Sequence, residues 1–308
     1  MMSSKRRKLA AGLEILEQRR VLTAEAAFAD GVLTVEGDAS DDIIEVSYDA
    51  GALTVTSDGN PVEIEGLPAD FELSAINVEG GGGSDEITVD VANLTLAADE
   101  SLQVQAEGGQ GDDTVQVNVD TLVVEADGSF AVEADGGRGD DTVGISVTGL
   151  TVAEGGSAEL EVGGGKGDDD VSLAVTDLVV GGEVELGLEG GKGIDDLALA
   201  FTGVDVLETG GLEVDAEGGP DDDTMAITAT DIVIAGEAEI GLELGPGDDD
   251  LTIDADNVGI MAGAEVFVEI EEGPGEDTIT LNLGANVVID PDATVVLNGD
   301  DEEDEEED

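Results

Sequence analysis

The chain of 308 residues contains no histidine, cysteine or tryptophan and a single tyrosine, Tyr48. These absences exclude Ser-His-Asp and Cys-His catalysis, and they leave zinc, haem and iron–sulfur sites without their usual ligands. Only 9 residues are Lys or Arg against 77 acidic residues, for a net charge of −68. A nucleic-acid partner is therefore excluded, because phosphates require a cationic face. What remains is carboxylate and carbonyl oxygen, which suits hard cations such as calcium.

The charge is distributed unevenly along the chain. The segment 1–24 holds six of the nine basic residues: Lys5, Arg6, Arg7, Lys8, Arg19 and Arg20. Residues 300–308 are all acidic, and such a block repels itself and stays solvated. We therefore predict a basic, targeting-like segment at 1–24 and a disordered acidic tail at 300–308. No run is long and apolar enough to predict a transmembrane segment.

A nonapeptide recurs eight times between residues 80 and 299. Its clearest copies are GGQGDDTVQ from Gly108, GGRGDDTVG from Gly136 and GGKGDDDVS from Gly164. The sixth position is aspartate in all eight copies: Asp85, Asp113, Asp141, Asp169, Asp195, Asp223, Asp249 and Asp277. Successive aspartates are 28, 28, 28, 26, 28, 26 and 28 residues apart, a regularity that is typical of repeat architectures.

Apolar and polar residues alternate inside each unit, which predicts three short half-buried strands separated by Gly/Asp-rich turns. The two 26-residue units have lost an even number of residues, so their strands keep the same face inward. Because one unit has no core of its own, the units must stack. We predict an all-β fold, a parallel right-handed β-helix or β-solenoid of about eight three-strand coils. A β-sandwich of hairpins is the alternative.

Residues 25–79 have the features of degenerate first coils that cap the solenoid. Gly37-Asp38-Ala39-Ser40-Asp41-Asp42 is a worn copy of the turn, which places Asp42 in line with the later aspartates. Pro61 and Pro68 suit a cap that discourages further strand pairing. We predict the regular eight-repeat solenoid over 80–299.

Stacking these turns would bring their aspartates together. Two unit charges about 5 Å apart repel by roughly 3 kcal/mol at an effective dielectric constant near 20. A column of such pairs needs protonation, salt or a divalent cation to relieve it. Glycine-rich turns also bring backbone carbonyls close by, so bound calcium is our prediction. The alternative is that Gly and Asp merely form tight turns.

The repeated turn resembles the RTX calcium-binding nonapeptide, GGxGxDxUx. The resemblance implies calcium bound between successive turns, by the eight aspartates at position six and by carbonyls at and near Gly80, Gly108, Gly136, Gly164 and Gly190. Two departures stand out. One nonapeptide recurs per 26–28 residues rather than head to tail, and Pro220, Pro246 and Pro274 alter the last three turns. Arg138, Lys166 and Lys192 occupy the third turn position, as counterions or as exposed variable residues.

The segment from Leu13 to Ala24, LEILEQRRVLTA, resembles the LEPR-XLL type of N-terminal element. That element occurs on large surface or secreted proteins of planctomycetes and related bacteria. Gln18 stands where that element has proline. A short amphipathic basic helix is the alternative.

Together these patterns predict a secreted or cell-surface calcium-binding protein with a structural or adhesive role and no enzymatic activity. Extracellular matrix, polysaccharide or mineral are the candidate partners. The alternative is a β-helical lyase or hydrolase acting on polysaccharide, but aromatic residues for sugar stacking are scarce. Ice binding is not expected, because the outward positions after the turn lack a threonine ladder: Gln116, Gly144, Ser172, Ala198 and Ala226.

Overall fold

The computed structural model of the chain describes residues 24–299. The basic segment predicted at 1–24, apart from Ala24, and the acidic tail predicted at 300–308 lie outside the described residues. The described part is all-β and forms two large sheets, here called sheet A and sheet B. Within residues 24–299, no helix is long and apolar enough to cross a membrane.

Sheet A contains β1 (Glu25–Ala29), β2 (Val32–Glu36), β6 (Ile64–Glu65), β7 (Ala75–Gly82), β9 (Ser101–Gln110), β11 (Ser129–Arg138), β13 (Ser157–Lys166), β15 (Glu183–Lys192), β17 (Gly211–Glu217), β19 (Glu237–Glu243), β21 (Glu265–Glu271) and β24 (Thr294–Gly299). Sheet B contains β3 (Ile43–Asp49), β4 (Ala52–Ser57), β5 (Asn60–Pro61), β8 (Glu86–Leu96), β10 (Thr114–Val124), β12 (Thr142–Val152), β14 (Asp170–Val180), β16 (Asp196–Val206), β18 (Thr224–Ile234), β20 (Asp250–Ile260), β22 (Thr278–Leu283) and β23 (Val288–Ile289). From β7 to β22 the chain alternates between the sheets, so that each coil contributes one strand to each, and in the last coil both β22 and β23 join sheet B.

The coils stack in parallel with a fixed register. Val115 pairs with Val143, and Val143 pairs with Val171, so each residue lies beside its equivalent one repeat later. The two-residue deletions fall at 181–182 and 235–236, in the connections between sheet B and sheet A strands. The strands on both sides therefore keep their inward face. The predicted β-solenoid is confirmed.

Each coil contains two long strands where the sequence predicts three shorter ones. In β10 the pairing with β12 runs to Asp120, skips Thr121 and resumes at Leu122. Thr121 has a φ of 56°, and equivalent residues in the other coils also have positive φ. One left-handed residue bends the strand but does not end it, because the ladder resumes at once. The predicted first and second strands are thus one strand with a bend.

The core consists of columns of aliphatic side chains that run along the solenoid. Ile87, Val115, Val143 and Val171 form one such column, and each is almost completely buried. Since neighbouring coils are separated by a single strand spacing of about 4.8 Å, every inward side chain packs on its equivalents above and below. Small branched residues fill this narrow interior, which explains the scarcity of aromatics.

The N-terminal end of the solenoid is closed by antiparallel strands. β1 folds back on β2, and β4 folds back on β3. Phe71 contacts both Phe28 and Tyr48, with ring centroids 5.4 Å and 6.4 Å apart. Because β4 also pairs with the two-residue β5, which contains Pro61, the last strand at this edge of sheet B is very short.

Candidate cation site along the aspartate column

The structure brings all the sequence-predicted aspartates together in one line along the solenoid. We call this line the aspartate column, and it consists of Asp42, Asp85, Asp113, Asp141, Asp169, Asp195, Asp223, Asp249 and Asp277. All are buried to at least 96% except Asp277, which is half-buried in the last coil. Each lies directly before a sheet B strand, so the parallel register of that sheet fixes the spacing of the column.

From Asp85 to Asp277, one oxygen of each carboxylate accepts a hydrogen bond from the preceding coil, whereas Asp42 accepts the N–H of Asp38 in its own turn. The backbone N–H of Asp113 donates to Oδ1 of Asp141 over 2.7 Å, and the N–H of Asp141 donates to Oδ1 of Asp169 over 2.7 Å. The same bond links every neighbouring pair from Asp42 to Asp277, at 2.7–2.9 Å. These bonds fix the orientation of each carboxylate, since charge-assisted hydrogen bonds are among the stronger ones.

The other carboxylate oxygen is buried without a hydrogen-bond partner. This holds for Oδ2 of Asp85, Asp113, Asp141, Asp169, Asp195, Asp223 and Asp249, and for Oδ1 of Asp42. Buried polar groups normally have a partner, and an isolated buried charge is very costly. Eight such oxygens in one line indicate a need for a proton or a cation.

From Asp85 to Asp223, each of these oxygens faces the first glycine of its turn. A Cβ on Gly136 would lie 2.7 Å from Oδ2 of Asp141 and 2.7 Å from the carbonyl oxygen of Gly164 in the next coil. A Cβ on Gly164 would likewise meet Oδ2 of Asp169 at 2.7 Å and the carbonyl oxygen of Gly190 at 2.6 Å. The missing side chain thus lets a carboxylate oxygen and a carbonyl oxygen converge on one point. We call this place the glycine cradle.

The glycine cradle recurs in six turns and is absent from the last two. Its glycines are Gly80, Gly108, Gly136, Gly164, Gly190 and Gly218. In the first turn Gly37 lies beside Oδ2 of Asp42, but that oxygen already accepts the N–H of Asp38. Leu244 and Glu272 occupy the same position beside Asp249 and Asp277. Because Leu244 carries a side chain there and is buried, the place next to Asp249 is closed to a ligand. The turn containing Pro220 keeps the complete arrangement around Asp223.

A second row of acidic residues lies beside the column but behaves differently. Asp112, Asp140 and Asp168 are exposed. The N–H of Asp140 donates to Oδ1 of Asp112 over 3.1 Å, and the N–H of Asp168 donates to Oδ1 of Asp140 over 3.1 Å. Here the carboxylate bonds to the following coil, whereas the aspartate column bonds to the preceding one. Each Asp-Asp pair therefore joins its turn to both neighbouring coils by hydrogen bonds, one to the preceding coil and one to the following coil. These bonds do not require a cation.

Burial raises the pKa of the seven column aspartates from Asp85 to Asp249. The pKa of Asp85 and Asp169 rises to about 6, and that of Asp141 and Asp223 to about 7. Desolvation is the main cause in each case, neighbouring aspartates add to it, and the N–H donated by the preceding coil opposes it. The pKa of Asp113, Asp195 and Asp249 is raised for the same reason. The charged form of the column is therefore disfavoured unless something neutralises it.

The chemistry of the donors fits a hard cation, with one restriction. In residues 24–299, no three acidic side chains converge so as to hold a metal ion. A cation in the column would thus take one buried carboxylate oxygen per coil and complete its shell with backbone carbonyls such as that of Gly164. An all-oxygen shell that includes carbonyls is one that calcium accepts.

The three basic turn residues lie side by side on sheet A. Arg138 pairs with Lys166, and Lys166 pairs with Lys192. They are all exposed. Gln110 and Gly82 precede them in the same row. The three cations thus stand one per turn in three successive coils, where they repel one another as neighbouring aspartates do.

The outer faces of the two sheets differ in charge. On sheet A, one outward row contains Glu107, Asp135, Glu189, Glu217, Glu243 and Glu271. Burial raises the pKa of Asp135 in this row to about 6, with Glu107, Glu133 and Glu189 adding to the shift. On sheet B, most outward positions of the middle coils carry small neutral residues, apart from the row that contains Asp170 and Asp196. One outward row is a threonine ladder, Thr148, Thr176, Thr202 and Thr230, four residues after the row that contains Gly144 and Ser172.

Sequence reasoning left two members out of the candidate set. The sequence places Asp42 in line with the later aspartates but does not mark it as a ligand, and the glycines predicted as ligands end at Gly190, before Gly218. The distinguishing signal is the pair of positions one and six of the nonapeptide. A glycine at the first and an aspartate at the sixth occur together wherever the cradle is present.

No family model, curated protein or solved structure matches this chain. What the protein does must therefore be inferred from its own residues.

Proposed function

We propose that this chain is a secreted or cell-surface calcium-binding repeat protein with a structural or adhesive role in a matrix or envelope. The observation that supports this function is the line of buried carboxylate oxygens without hydrogen-bond partners, most of which face a glycine cradle. Buried carboxylates that lack a partner recur in every coil but the last, so the stability of the rod is expected to depend on the cations around it.

In this proposal the two oxygens of each column carboxylate have different roles. Oδ1 of Asp141 accepts the N–H of Asp113 and holds the carboxylate in place. Oδ2 of Asp141 and the carbonyl oxygen of Gly164 are left to face a cation from two successive coils. Calcium would neutralise the column and join neighbouring coils through shared oxygen ligands. The RTX resemblance of the turn agrees with this role.

The location follows from the strength expected of such sites. Sites with one carboxylate and several carbonyls are weak, and calcium modules outside cells work at about 10⁻⁴–10⁻³ M. A chain of this kind would fold fully after export, where calcium is abundant. The similarity of residues 13–24 to the LEPR-XLL element supports the same location. Matrix polymers, polysaccharide and mineral are the partner classes that this location offers.

The positions of the aromatic residues support a role without catalysis. Phe130 and Phe201 are buried in the solenoid core. Phe28, Tyr48 and Phe71 form the N-terminal cap. Few rings are thus left on the outer faces to stack on a sugar, which disfavours the polysaccharide-active alternative.

Calcium titration of the full chain tests the proposal. Protein freed of metal with a chelator is titrated with calcium, or with magnesium as the control, and followed by circular dichroism and thermal unfolding. We expect calcium to raise the unfolding temperature, by an amount equivalent to about 2.7 kcal/mol per site at a concentration 100 times the Kd. If the chain is fully folded in chelator and calcium leaves its stability unchanged, the proposal is wrong, and the aspartates serve only to form hydrogen bonds between turns.

A matched pair of variants locates the effect within the turn. Asp141→Asn keeps the Oδ1 acceptor but removes the buried charge, whereas Asp140→Asn makes the same change on the exposed neighbour. We expect Asp141→Asn to be more stable than the unchanged chain in chelator. We also expect calcium to raise its free energy of unfolding by less, the difference being the contribution of one site. Asp140→Asn should change neither by more than about 0.5 kcal/mol. An equal loss of calcium response in both variants would instead indicate binding to the general acidic surface.

A further inference from the structure

The C-terminal end of the solenoid is open, unlike the capped N-terminal end. Along one core column, Val171, Leu197, Met225 and Leu251 are at most 2% exposed. The next member of that column, Ile279, is 38% exposed. Other large apolar side chains of the last coil are also uncovered: Leu281, Leu283, Val288, Ile289 and Leu297. The last coil thus presents core residues with nothing packed on them.

The same end offers backbone hydrogen-bonding groups. β22 is the last strand of sheet B and β24 is the last strand of sheet A. One side of each strand therefore has no neighbour among the described residues. An edge strand with exposed apolar side chains is a ready template for another strand.

The residues that follow β24 are unsuited to covering this end. Residues 300–308 are nine consecutive acids with no apolar side chain. They cannot continue the inward pattern of a coil. The last coil is itself acidic, with Glu272, Glu276 and Asp292 exposed. Whatever packs there must bring apolar side chains together with positive charge.

One segment of the chain has this composition. Residues 1–23 contain six of the chain's nine cations. They also contain Leu13, Ile15, Leu16, Val21 and Leu22. No other part of the chain combines basic and apolar residues in this way, since Arg138, Lys166 and Lys192 are the remaining cations.

The segment cannot reach the open end of its own rod with these apolar residues. Ten strand spacings separate β1 from β24 in sheet A, or about 48 Å at 4.8 Å each. Leu13 lies 11 residues before Ala24, a span of at most about 40 Å when fully extended. Docking by Leu13 and the residues after it therefore requires a second molecule.

We propose that the open C-terminal end, formed by β22, β23 and β24, binds residues 1–23 of a second copy of the chain. The apolar residues of the segment cover Ile279, Leu281 and Leu297, and its basic residues meet the exposed acidic residues of the receiving copy's last coil, such as Glu276 and Asp292. Because the two surfaces lie at opposite ends of the molecule, the contact is heterologous and repeats as a head-to-tail chain of rods. This assembly does not depend on calcium binding in the column.

Sedimentation of the full-length chain over a wide concentration range tests the proposal, in calcium buffer and with folding monitored by circular dichroism. We expect open-ended oligomers that grow with concentration and weaken in high salt. Leu281→Ser should weaken association about tenfold or more, because the half-exposed leucine is buried in the contact. The control is Ile194→Ser, since Ile194 is 57% exposed in mid-rod and Leu281 is 54% exposed. Leu297→Ser, at a 72% exposed position, provides a second test variant with little risk to folding.

Cross-linking identifies the occupant. A carbodiimide applied to a mixture of isotopically light and heavy chains should join Lys5 or Lys8 of one molecule to acidic residues of the last coil of another, such as Glu276 or Asp292. Monomers at all concentrations would overturn the proposal. Closed dimers that strengthen with salt and lack this cross-link would also overturn it, because they indicate two acidic C-terminal ends packed on each other. Loss of calcium response in the titration leaves these outcomes unchanged, so the two proposals fail separately.

Discussion

The coils over residues 80–217 and those over 218–277 have the same core but different turns. In the first group, β9, β11, β13 and β15 have ten residues each and continue through the turn, with pairs such as Gly109–Gly137. In the second group, β17, β19 and β21 have seven residues and end before the turn. Pro220, Pro246 and Pro274 lack the N–H that the ladder needs. Their carbonyls still accept, as in the 2.9 Å bond from the N–H of Asp221 to Pro246.

The candidate cation site changes at a different place from the strand ladder. Asp223 follows Pro220 and still has an orphaned oxygen beside Gly218. The cradle ends one coil later, where Leu244 replaces glycine. The comparison teaches that two properties of the turn depend on separate positions. Strand pairing depends on the third position, and the cation cradle depends on the first and sixth.

Filling a cradle in an intact turn should have the largest effect. A Cβ on Gly164 would lie 2.6 Å from the carbonyl oxygen of Gly190 and 2.7 Å from Oδ2 of Asp169. Gly164→Ala should therefore cost about 1–3 kcal/mol in chelator and also lose one site's calcium stabilisation. Urea unfolding with and without calcium measures both.

Gly163→Ala is the matched control for Gly164→Ala. A Cβ at Gly163 would be no closer than 3.4 Å to Asp135 and 3.9 Å to Glu189. We expect a change within about 0.5 kcal/mol. Equal destabilisation by both alanines would show that the cradle has no special role.

The two altered turns with buried aspartates should differ from each other in calcium. Asp223→Asn removes a carboxylate beside an open cradle, and Asp249→Asn removes one beside Leu244. We expect Asp223→Asn to lose up to about 2.7 kcal/mol of calcium stabilisation at 100 times the Kd, and Asp249→Asn to lose almost none. Calorimetric counting of bound calcium provides a second measure. Equal losses would mean that the third turn position, and not the cradle, controls binding.

Introducing proline into an intact turn should shorten the sheet A strand, so that it ends before the turn as β17, β19 and β21 do. Lys192→Pro removes one ladder donor at a turn whose preceding residue, Gly191, has a φ of 105°, similar to the 113° of Gly219 before Pro220. We expect a loss of about 1 kcal/mol and faster amide exchange at residues 190–193, with the calcium response of Asp195 retained. Lys192→Gln, which removes the same charge, should leave exchange unchanged.

The raised pKa values of the column also predict a dependence of stability on pH. The pKa of Asp141 and Asp223 is raised from 3.8 to about 7 in the folded chain. The neutral form is thus favoured by folding, so its stabilising contribution is complete at low pH and is lost as pH rises through 7. In chelator, the unfolding temperature should fall between about pH 5 and pH 8, and the calcium effect should grow over the same range because the ligands must be deprotonated.

The pH dependence has an internal control. Ordinary exposed carboxylates are already ionised at pH 5, so they contribute little to this window. Asp141→Asn should make the dependence in chelator less steep, whereas Asp140→Asn should not. A slope that is the same in both variants would assign the effect to other groups, such as Asp135 on the outer face of sheet A.

Much of the fold was predictable because every coil has the same pattern of turn residues and alternating apolar side chains. The spacing of Asp113, Asp141 and Asp169, and the alternation around Val115 and Val143, predicted stacked parallel coils with aspartates in line. The bend at Thr121 was predicted as a strand end, because a break in alternation looks the same whether or not the ladder resumes. The roles of Gly218 and Leu244 were also missed, since a proline two residues later is the more obvious change.

The sequence alone determined the repeat, its 26- or 28-residue period, the inward face of every strand and the identity of the column residues. All of these depend on local order, on the side-chain alternation of a strand and on the parity of insertions. Only the tertiary structure decided which carboxylate oxygen bonds to the neighbouring coil, which is left buried without a partner, and which end of the rod is open. These properties arise between residues 26–28 positions apart, so they exist only once the coils are stacked in register.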